Sequence, residues 1–208
     1  MSSTIAVIDF ETTGMSPAQG ARATEIGIVL LQGGRIVDRF QSLMHSGVRI
    51  PPMVIALTGI SNAMPAAEVM REALRFVGEA PMVAHNAAFD SKFWQSELTL
   101  AGLPASQAFA CTVLLSRRIY PEAPSHSLGR LAEHLGLEFT GRAHRALADA
   151  EVTAALLARM QQDLCQRHAL AACGHALLMQ LQRCTRAKSE AWLREQAASF
   201  QLELIQNS

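Results

Sequence analysis

The first part of the chain alternates short apolar runs with turn residues. Residues 5–10, 24–31 and 35–42 each have the length and the apolar, β-branched character of a strand. The pair Gly33-Gly34 separates the second run from the third, and such a pair is typical of a β-hairpin. The pattern therefore predicts three consecutive strands, paired antiparallel.

From residue 66 onward the spacing of apolar residues becomes mainly helical. Pro51-Pro52 and Thr58-Gly59 predict loops before that point. The later elements are predicted as helices at 66–78, 87–101, 128–135 and 146–167, a strand at 82–84, and a strand followed by a helix within 111–120. Asn86 is expected to cap the second of these helices, while Gly102 and Gly136 end the second and third. This order predicts an α/β fold in which helices cover a mixed sheet.

Composition limits the function classes more than it identifies one. The chain has 208 residues, 50% of them hydrophobic and 5% aromatic, which suits one core of helices packed on a sheet. Its formal net charge is zero. Proteins that hold long nucleic acids by charge alone are strongly basic. A nucleic-acid substrate would therefore be held over a short stretch near its terminus, or with a partner's help.

The cysteines and the amino terminus predict the compartment. Four cysteines occur without a CxxC pair, and residues 1–4 lead directly into the first strand without a basic, apolar leader. No apolar run is long enough to cross a bilayer. A reduced, cytoplasmic location without membrane contact is the expectation.

Two carboxylates end the first strand. Asp9 and Glu11 are two residues apart, so in a strand their side chains point to the same side. Adjacent carboxylates repel one another and lose solvation on burial, and a divalent cation removes both costs. The alternative for this pair alone is a turn-forming aspartate and a solvated glutamate, both common at strand ends.

Two further segments carry acids and histidines. Asp90 follows His85-Asn86 and falls in the first turn of a predicted helix, where an acid is also favourable for purely structural reasons. His144 and Asp149 are separated by five helical positions, about 500°, and cannot share a helix face. If both serve one site, His144 precedes the helix and Asp149 lies inside it. Each histidine taken alone could be structural.

The four acids together indicate a metal site more strongly than any of them does alone. Asp9, Glu11, Asp90 and Asp149 offer hard oxygen ligands, which suit Mg²⁺ or Mn²⁺ better than zinc. A nearby histidine would supply a base that titrates near neutral pH.

These segments resemble the sequence motifs of the DEDD exonucleases, in their histidine branch. The three motifs are Asp9-Phe10-Glu11-Thr12-Thr13-Gly14, His85-Asn86-Ala87-Ala88-Phe89-Asp90, and His144-Arg145-Ala146-Leu147-Ala148-Asp149. Leu57-Thr58-Gly59-Ile60 resembles the family's loop beside the substrate terminus. The resemblance covers roughly residues 4–163 and departs at no catalytic position. It implies a ribonuclease-H-like fold and removal of nucleotides from a 3′ end.

The resemblance also implies roles for individual residues. Two Mg²⁺ or Mn²⁺ ions would be held by Asp9, Glu11, Asp90 and Asp149, and His144 would accept a proton from the attacking water. The expected substrate is DNA, single-stranded, cut to nucleoside 5′-monophosphates. Its terminal nucleotide would contact Thr12, Thr13, Gly14, Leu57, Ile60, His85, Asn86 and Phe89. Core packing is an equal alternative for Leu57 and Ile60.

Several features stay open at the level of sequence. Arg22, Lys92, Arg142 and Arg145 are candidates for phosphate contacts, although most surface arginines have no such role. Residues 164–208 are predicted to form a helical extension of the exonuclease domain at 1–163. The extension either packs on that domain or offers a surface to a polymerase, another protein or a second copy of the chain. Its Cys165, His168, Cys173 and His175 fit no common zinc spacing.

Three other functions compete with a DNA exonuclease. The same motifs would serve an RNA-trimming 3′→5′ exoribonuclease. An inactive exonuclease fold could act as a binding module through the extension, although its acids are intact. An ordinary α/β domain whose acids coincide by chance would gain no stability from Mn²⁺.

Overall fold

A six-stranded mixed sheet forms the centre of the molecule. The computed structural model describes residues 4–45, 64–138 and 145–206, with side chains described to residue 199. The strands are β1 (Ile5–Thr12), β2 (Ala23–Gln32), β3 (Arg35–His45), β4 (Met64–Pro65), β5 (Met82–Ala84) and β6 (Phe109–Cys111). Their order across the sheet is β4-β3-β2-β1-β5-β6.

The predicted strand pairing is confirmed. β1 pairs antiparallel with β2, and β2 pairs antiparallel with β3. The hairpin between β2 and β3 turns at Gly33 and Gly34, whose φ angles are 57° and 77°. Positive φ at two successive residues is what a tight hairpin turn requires. β5 lies parallel to β1, and β6 parallel to β5, which produces the mixed sheet.

Helices cover both faces of the sheet. The described residues form α1 (Ala66–Val77), α2 (Ala87–Leu100), α3 (Thr112–Ile119), α4 (Leu128–Leu135), α5 (Ala146–His168), α6 (His175–Leu181) and α7 (Arg186–Gln206). A short 3-10 turn, Pro17–Gln19, lies between β1 and β2. The α/β fold predicted from the sequence is therefore confirmed, and the predicted helix bounds agree to within a residue or two.

Strand β1 separates two hydrophobic cores by simple alternation. Ile5 and Val7 pack with α5 and the carboxy-terminal helices, whereas Ala6, Ile8 and Phe10 pack with α1 and α2. Successive side chains of a strand point to opposite faces, so each face receives its own core. Asp9 and Glu11 continue the row of Ile5 and Val7 and therefore belong to the α5 face.

Two local predictions needed correction. Asn86 takes the position before α2, but its side chain makes no capping hydrogen bond, and its backbone is left-handed with φ 64°. Asn tolerates this conformation better than most residues, so it serves here as a turn residue. In the region 111–120 the strand lies earlier, at Phe109–Cys111, and the rest is helix.

The carboxy-terminal helices dock on the edge of the sheet. Gln182 accepts a hydrogen bond from the Cys111 N–H at 2.7 Å and donates one to the Phe109 carbonyl at 3.3 Å. His175 Nε2 donates to the Met82 carbonyl at 2.9 Å. The Gln182 amide thus pairs with the outer edge of β6 as a neighbouring strand would. The predicted boundary between the exonuclease domain at 1–163 and the helical extension at 164–208 falls inside α5, which is a single continuous helix.

Candidate active site

Three carboxylates converge where β1 meets the start of α5. One oxygen each from Asp9, Glu11 and Asp149 lies within 4.8 Å of the other two. All three side chains are partly buried. The convergence follows from the fold, because Asp9 and Glu11 share the face of β1 on which α5 packs. Three oxygens at this spacing match the requirement of a divalent cation for several hard ligands.

Asp149 is the fourth residue of α5. The helix begins at Ala146, and the Asp149 N–H donates to the Arg145 carbonyl at 3.0 Å, closing the first helical turn. Asp149 therefore lies inside α5, where the sequence analysis placed it if it serves one site with His144. The first turn is also the place where the helix dipole favours a negative charge.

Asp90 reaches the same region from the other face of the sheet. It is the fourth residue of α2 and is only 1% exposed. Its Oδ1 accepts a hydrogen bond from the Phe10 N–H at 3.2 Å, between the two acids of β1. Asp90 is not one of the three carboxylates that lie within 4.8 Å of each other.

Two of the acids, Asp9 and Asp90, have raised pKa values. Burial raises the pKa of Asp9 well above its usual value, and the charges of Asp90, Asp149, Glu11 and Glu25 raise it further. Burial also raises the pKa of Asp90 to about 7, opposed by the hydrogen bond from the Phe10 N–H. Such clustering of raised carboxylate pKa values is typical of functional sites. A divalent cation would relieve both the desolvation and the repulsion, so the donor set fits a metal of this class.

The contact between the start of α5 and strand β2 was not predicted from the sequence. Gly27 lies opposite Asp9 in the β1–β2 ladder, and a Cβ built there would stand 2.3 Å from the Ala146 carbonyl carbon and the Leu147 nitrogen. Beside it, Glu25 is fully buried and accepts hydrogen bonds from Gln41 and Arg145. An acid and a glycine inside a buried strand were the available signal, because both are unusual there.

Two arginines proposed for phosphate contact are engaged inside the fold. Arg22 forms a two-pronged ion pair with Glu97 of α2, with both N···O distances 2.8 Å. Arg145 Nε lies 3.1 Å from Glu25 Oε2. Glu97 and Glu25 are both buried, so each arginine neutralises a carboxylate that has left water. Lys92 instead lines a surface groove of about 540 Å³ with Ser16 and Ser96, between the 3-10 turn and α2.

The loop after β1 is held in place by its own hydrogen bonds. Thr12 Oγ1 donates to the Gly14 carbonyl at 2.7 Å, and Thr13 Oγ1 accepts from the Arg22 N–H at 3.0 Å. The Thr13 N–H donates to the Arg22 carbonyl at 2.9 Å. Thr12, Thr13 and Gly14 are therefore presented beside the acids on a fixed backbone.

His85, Asn86 and Phe89 of the second motif are partly or fully exposed near the start of α2. His85 Nδ1 lies 2.9 Å from Thr112 Oγ1, and burial lowers the pKa of His85 to about 4. Phe89 packs on Phe93, with ring centroids 4.9 Å apart. Asn86 is exposed. His85 is thus neutral at pH 7 and held by its neighbour.

Some predicted residues lie outside the described residues. These are His144, Leu57, Ile60 and Arg142. Their assignments rest on the sequence alone.

Within the described ranges, Asp9, Glu11 and Asp149 are the one group of three or more His, Cys, Asp or Glu side chains close enough to share a metal ion. Cys165, His168, Cys173 and His175 do not form a second one, consistent with their unfavourable spacing. All four cysteines are free thiols. In the part of the chain with described structure, no helix combines the length and apolar character needed to cross a bilayer.

Comparison with known proteins agrees with this site. The family model described as "Exonuclease" matches residues 6–157. DNA polymerase III subunit epsilon of Aquifex aeolicus is 34% identical over 167 residues, which cover 77% of this chain and 82% of that protein. The 3′-5′ exonuclease DinG of Bacillus subtilis is 38% identical over 167 residues, 77% of this chain. A PolC-type DNA polymerase III of Clostridium perfringens is 38% identical over 156 residues, 73% of this chain.

The matched regions form very different shares of these relatives. The alignment spans 18% of the DinG protein and 11% of the PolC-type polymerase. The likeness to these two is therefore a likeness to one domain of a larger protein.

Solved structures share the fold. The nuclease domain of 3′hExo, a DEDDh family member bound to rAMP, superposes with a TM-score of 0.65 at 24% identity, covering 78% of this chain and 93% of that one. Exonuclease X in complex with 5′ overhanging duplex DNA gives a TM-score of 0.59 at 28% identity, covering 81% and 95%. The acids at the end of β1, the family model and these relatives agree, and the chain belongs to the exonuclease family, with a 3′→5′ exonuclease domain of ribonuclease-H-like fold.

Proposed function

We propose that the protein is a metal-dependent 3′→5′ exonuclease that hydrolyses the terminal phosphodiester of single-stranded DNA and releases nucleoside 5′-monophosphates. The observation that carries the proposal is the convergence of Asp9, Glu11 and Asp149 within 4.8 Å, with Asp90 against the same strand. These acids come from a strand and two helices distant in sequence. A chance cluster would not also reproduce the order of the family's three motifs.

The four acids would hold two Mg²⁺ or Mn²⁺ ions. Two such ions, when bound, stabilise the charge on the attacking and leaving oxygens of an in-line displacement. Asp9, Glu11 and Asp149 offer the closest set of oxygens, and Asp90 approaches from the α2 side.

His144 would act as the base. It would accept a proton from the attacking water as the new P–O bond forms and the bond to the 3′ oxygen breaks. Neutral imidazole is suited to this step near pH 7. The sequence places His144 next to Arg145, which is itself fixed on Glu25.

The substrate terminus would lie along the loop after β1. Thr13 is held by two hydrogen bonds to the Arg22 backbone, and Gly14 would allow the terminal nucleotide to approach the chain closely. His85, Asn86 and Phe89 line the start of α2. Leu57 and Ile60 would press on the terminal base, as apolar side chains do in other single-strand sites.

The choice of DNA is supported by the relatives. Two of the three curated relatives described above are named DNA polymerase III proteins. An RNA-trimming activity is the second candidate, because 3′hExo shares the fold and was solved with the ribonucleotide rAMP bound. The molecular partner proposed for either activity is a nucleic-acid 3′ end.

We further propose the division into an exonuclease domain at 1–163 and a helical extension at 164–208. The family model ends at residue 157. Leu178, Leu181 and Leu193 of the extension enter the core beside α5, which supports a packing role. A polymerase, another protein or a second copy of the chain could use the surface that this packing leaves free.

The test is a cleavage time course on 5′-labelled DNA and RNA oligomers of one sequence with Mg²⁺ or Mn²⁺. We expect a ladder that shortens from the 3′ end, is abolished by EDTA and by Asp9→Asn, and forms faster on DNA. Asp38→Asn is the matched control, since Asp38 is an exposed acid on β3. Faster cleavage of RNA would replace the DNA assignment, and no cleavage of either would contradict the proposal.

A further inference from the structure

We propose that Glu25 and Arg145 form a positioning pair that sets the distance between Asp149 and the carboxylates of β1. The pair anchors the first turn of α5 on β2. This inference rests on the proposed function, because it assigns the pair's effect to the cation-binding acids. It also reassigns Arg145, whose charge would otherwise suggest a phosphate contact.

Glu25 is occupied by protein donors. Its Oε1 accepts from Gln41 Nε2 at 2.6 Å and from Arg145 Nε at 3.2 Å, and its Oε2 lies 3.1 Å from the same Arg145 nitrogen. The Glu25 side chain has no exposed surface, whereas that of Arg145 is 37% exposed. A carboxylate used in this way on both oxygens is a structural anchor, although it lies directly opposite Glu11 in the ladder.

The anchor is next to a steric contact. The backbone of Ala146 and Leu147 rests on Gly27, where any Cβ would have to displace the helix. The ion pair and the glycine therefore fix two successive points of the chain, Arg145 and Ala146, against β2. A helix held at its first residues has little freedom to shift along the sheet.

The restraint passes to Asp149 through one helical turn. The Asp149 N–H donates to the carbonyl of Arg145, the residue whose side chain is held by Glu25. A displacement of Arg145 thus moves Asp149 relative to Asp9 and Glu11, which belong to a different element. Groups that orient metal ligands in this indirect way commonly control metal affinity and activity.

Charge makes the pairing necessary. Glu25 lies opposite Glu11 in the β1–β2 ladder and is fully buried. Without the guanidinium, a buried carboxylate would remain unpaired close to the acidic cluster, which is costly. Lysine keeps the charge but lacks the planar group of arginine, so it would restore the neutralisation better than the geometry.

The experiment compares Arg145→Lys, Glu25→Gln and the control Arg39→Gln with the wild type. Arg39 forms a 2.6 Å pair with Glu151, also between the sheet and α5, but its side chain is 52% exposed. Mn²⁺ affinity is measured by calorimetry, and kcat and KM on a single-stranded DNA oligomer. The double variant Glu25→Gln/Arg145→Met, which leaves no unpaired buried charge, is included in case a single variant fails to fold.

We expect the pair's variants to weaken Mn²⁺ binding and to lower kcat by about 10–100-fold, with KM for the oligomer unchanged. Arg39→Gln should match the wild type in all three quantities. Folded variants with wild-type Mn²⁺ affinity would overturn the proposal, as would a rise in KM alone, which would indicate a phosphate contact by Arg145. A wild type that binds Mn²⁺ but cleaves neither DNA nor RNA would refute the proposed function, while the affinities would still decide the positioning role.

Discussion

The two helices that bring acids to the site are attached to the sheet in different ways. Asp90 of α2 is buried and is held by its own hydrogen bond to the Phe10 N–H. Asp149 of α5 is partly exposed, and the Gly27 contact and the Glu25–Arg145 pair hold the start of its helix on β2. The Asp90 carboxylate thus accepts a hydrogen bond from the strand itself, and the backbone that carries Asp149 is anchored at the start of its helix.

The surroundings of the two helices explain the difference. α2 packs Phe93 and Trp94 into a core with Phe10, and Arg22 links its Glu97 to the end of the β1–β2 loop. Asp90 is only 1% exposed, so its carboxylate is almost entirely removed from solvent. α5 packs on the opposite face, where Asp149 is partly buried and lies close to the strand acids. Burying Asp90 costs the solvation of its carboxylate, and anchoring α5 through Arg145 costs the solvation of the Glu25 carboxylate.

The largest expected effect on activity comes from removing the charge of Asp149 or of Asp90. Asp149→Asn and Asp90→Asn should each lower kcat on a DNA oligomer by about 1000-fold, because several kcal/mol of transition-state stabilisation depend on the bound metal. Mn²⁺ affinity should separate them, with a greater loss for Asp149→Asn, since Asp149 belongs to the close group of three. Calorimetric titration checks this order, and equal losses would show that the two helices contribute alike.

The next effect concerns the pH dependence of the metal-free protein. Burial raises the pKa of Asp90 to about 7 from 3.8, so the folded state holds its proton longer than the unfolded state does. The contribution of Asp90 to stability is therefore present below pH 4 and is lost as the pH rises to 7, by on the order of 2–4 kcal/mol.

Comparing variants isolates the contribution of Asp90 to the pH dependence of stability from the opposing contribution of His85. Asp90→Asn should flatten the loss between pH 4 and pH 7 in urea unfolding with EDTA, whereas Asp38→Asn should not. His85, with its pKa lowered to about 4 by burial, acts in the other direction, because only the unfolded state gains its proton as the pH falls below 6.5. An unchanged slope in Asp90→Asn would mean that Asp90 is not held in the dry environment described here.

Smaller effects on stability and Mn²⁺ binding are expected from a change at Gly27, where the start of α5 contacts β2. Gly27→Ala should lower the free energy of unfolding by about 1–3 kcal/mol, because its Cβ would overlap the backbone of Ala146. It should also weaken Mn²⁺ binding by moving Asp149. Gly129→Ala is the matched control, since a Cβ at that position in α4 meets no atom within 4 Å. Urea unfolding and calorimetry check both variants, and a Gly27→Ala protein with normal affinity would show that Asp149 tolerates a shifted helix.

Much of the fold was predictable because it depends on local patterns. The glycines at 33 and 34 set the hairpin, the apolar spacing set most of the helices, and alternation along β1 placed Asp9 and Glu11 on one side. The same spacing placed the start of α5 at Ala146, between His144 and Asp149 in the sequence. Each of these inferences uses residues close together in the chain, where geometry is fixed by the backbone itself.

The contacts that complete the site could be established only from the tertiary structure. Glu25 meets Arg145 across 120 positions of sequence, and Arg22 meets Glu97 across 75. From the sequence, both arginines were only candidates for phosphate contacts, and neither glutamate was identified as a partner. The sequence by itself determined which residues could bind a cation, since that depends on chemistry and local spacing. Only the tertiary structure decided how the helices hold those residues together, because it depends on which distant surfaces are buried against each other.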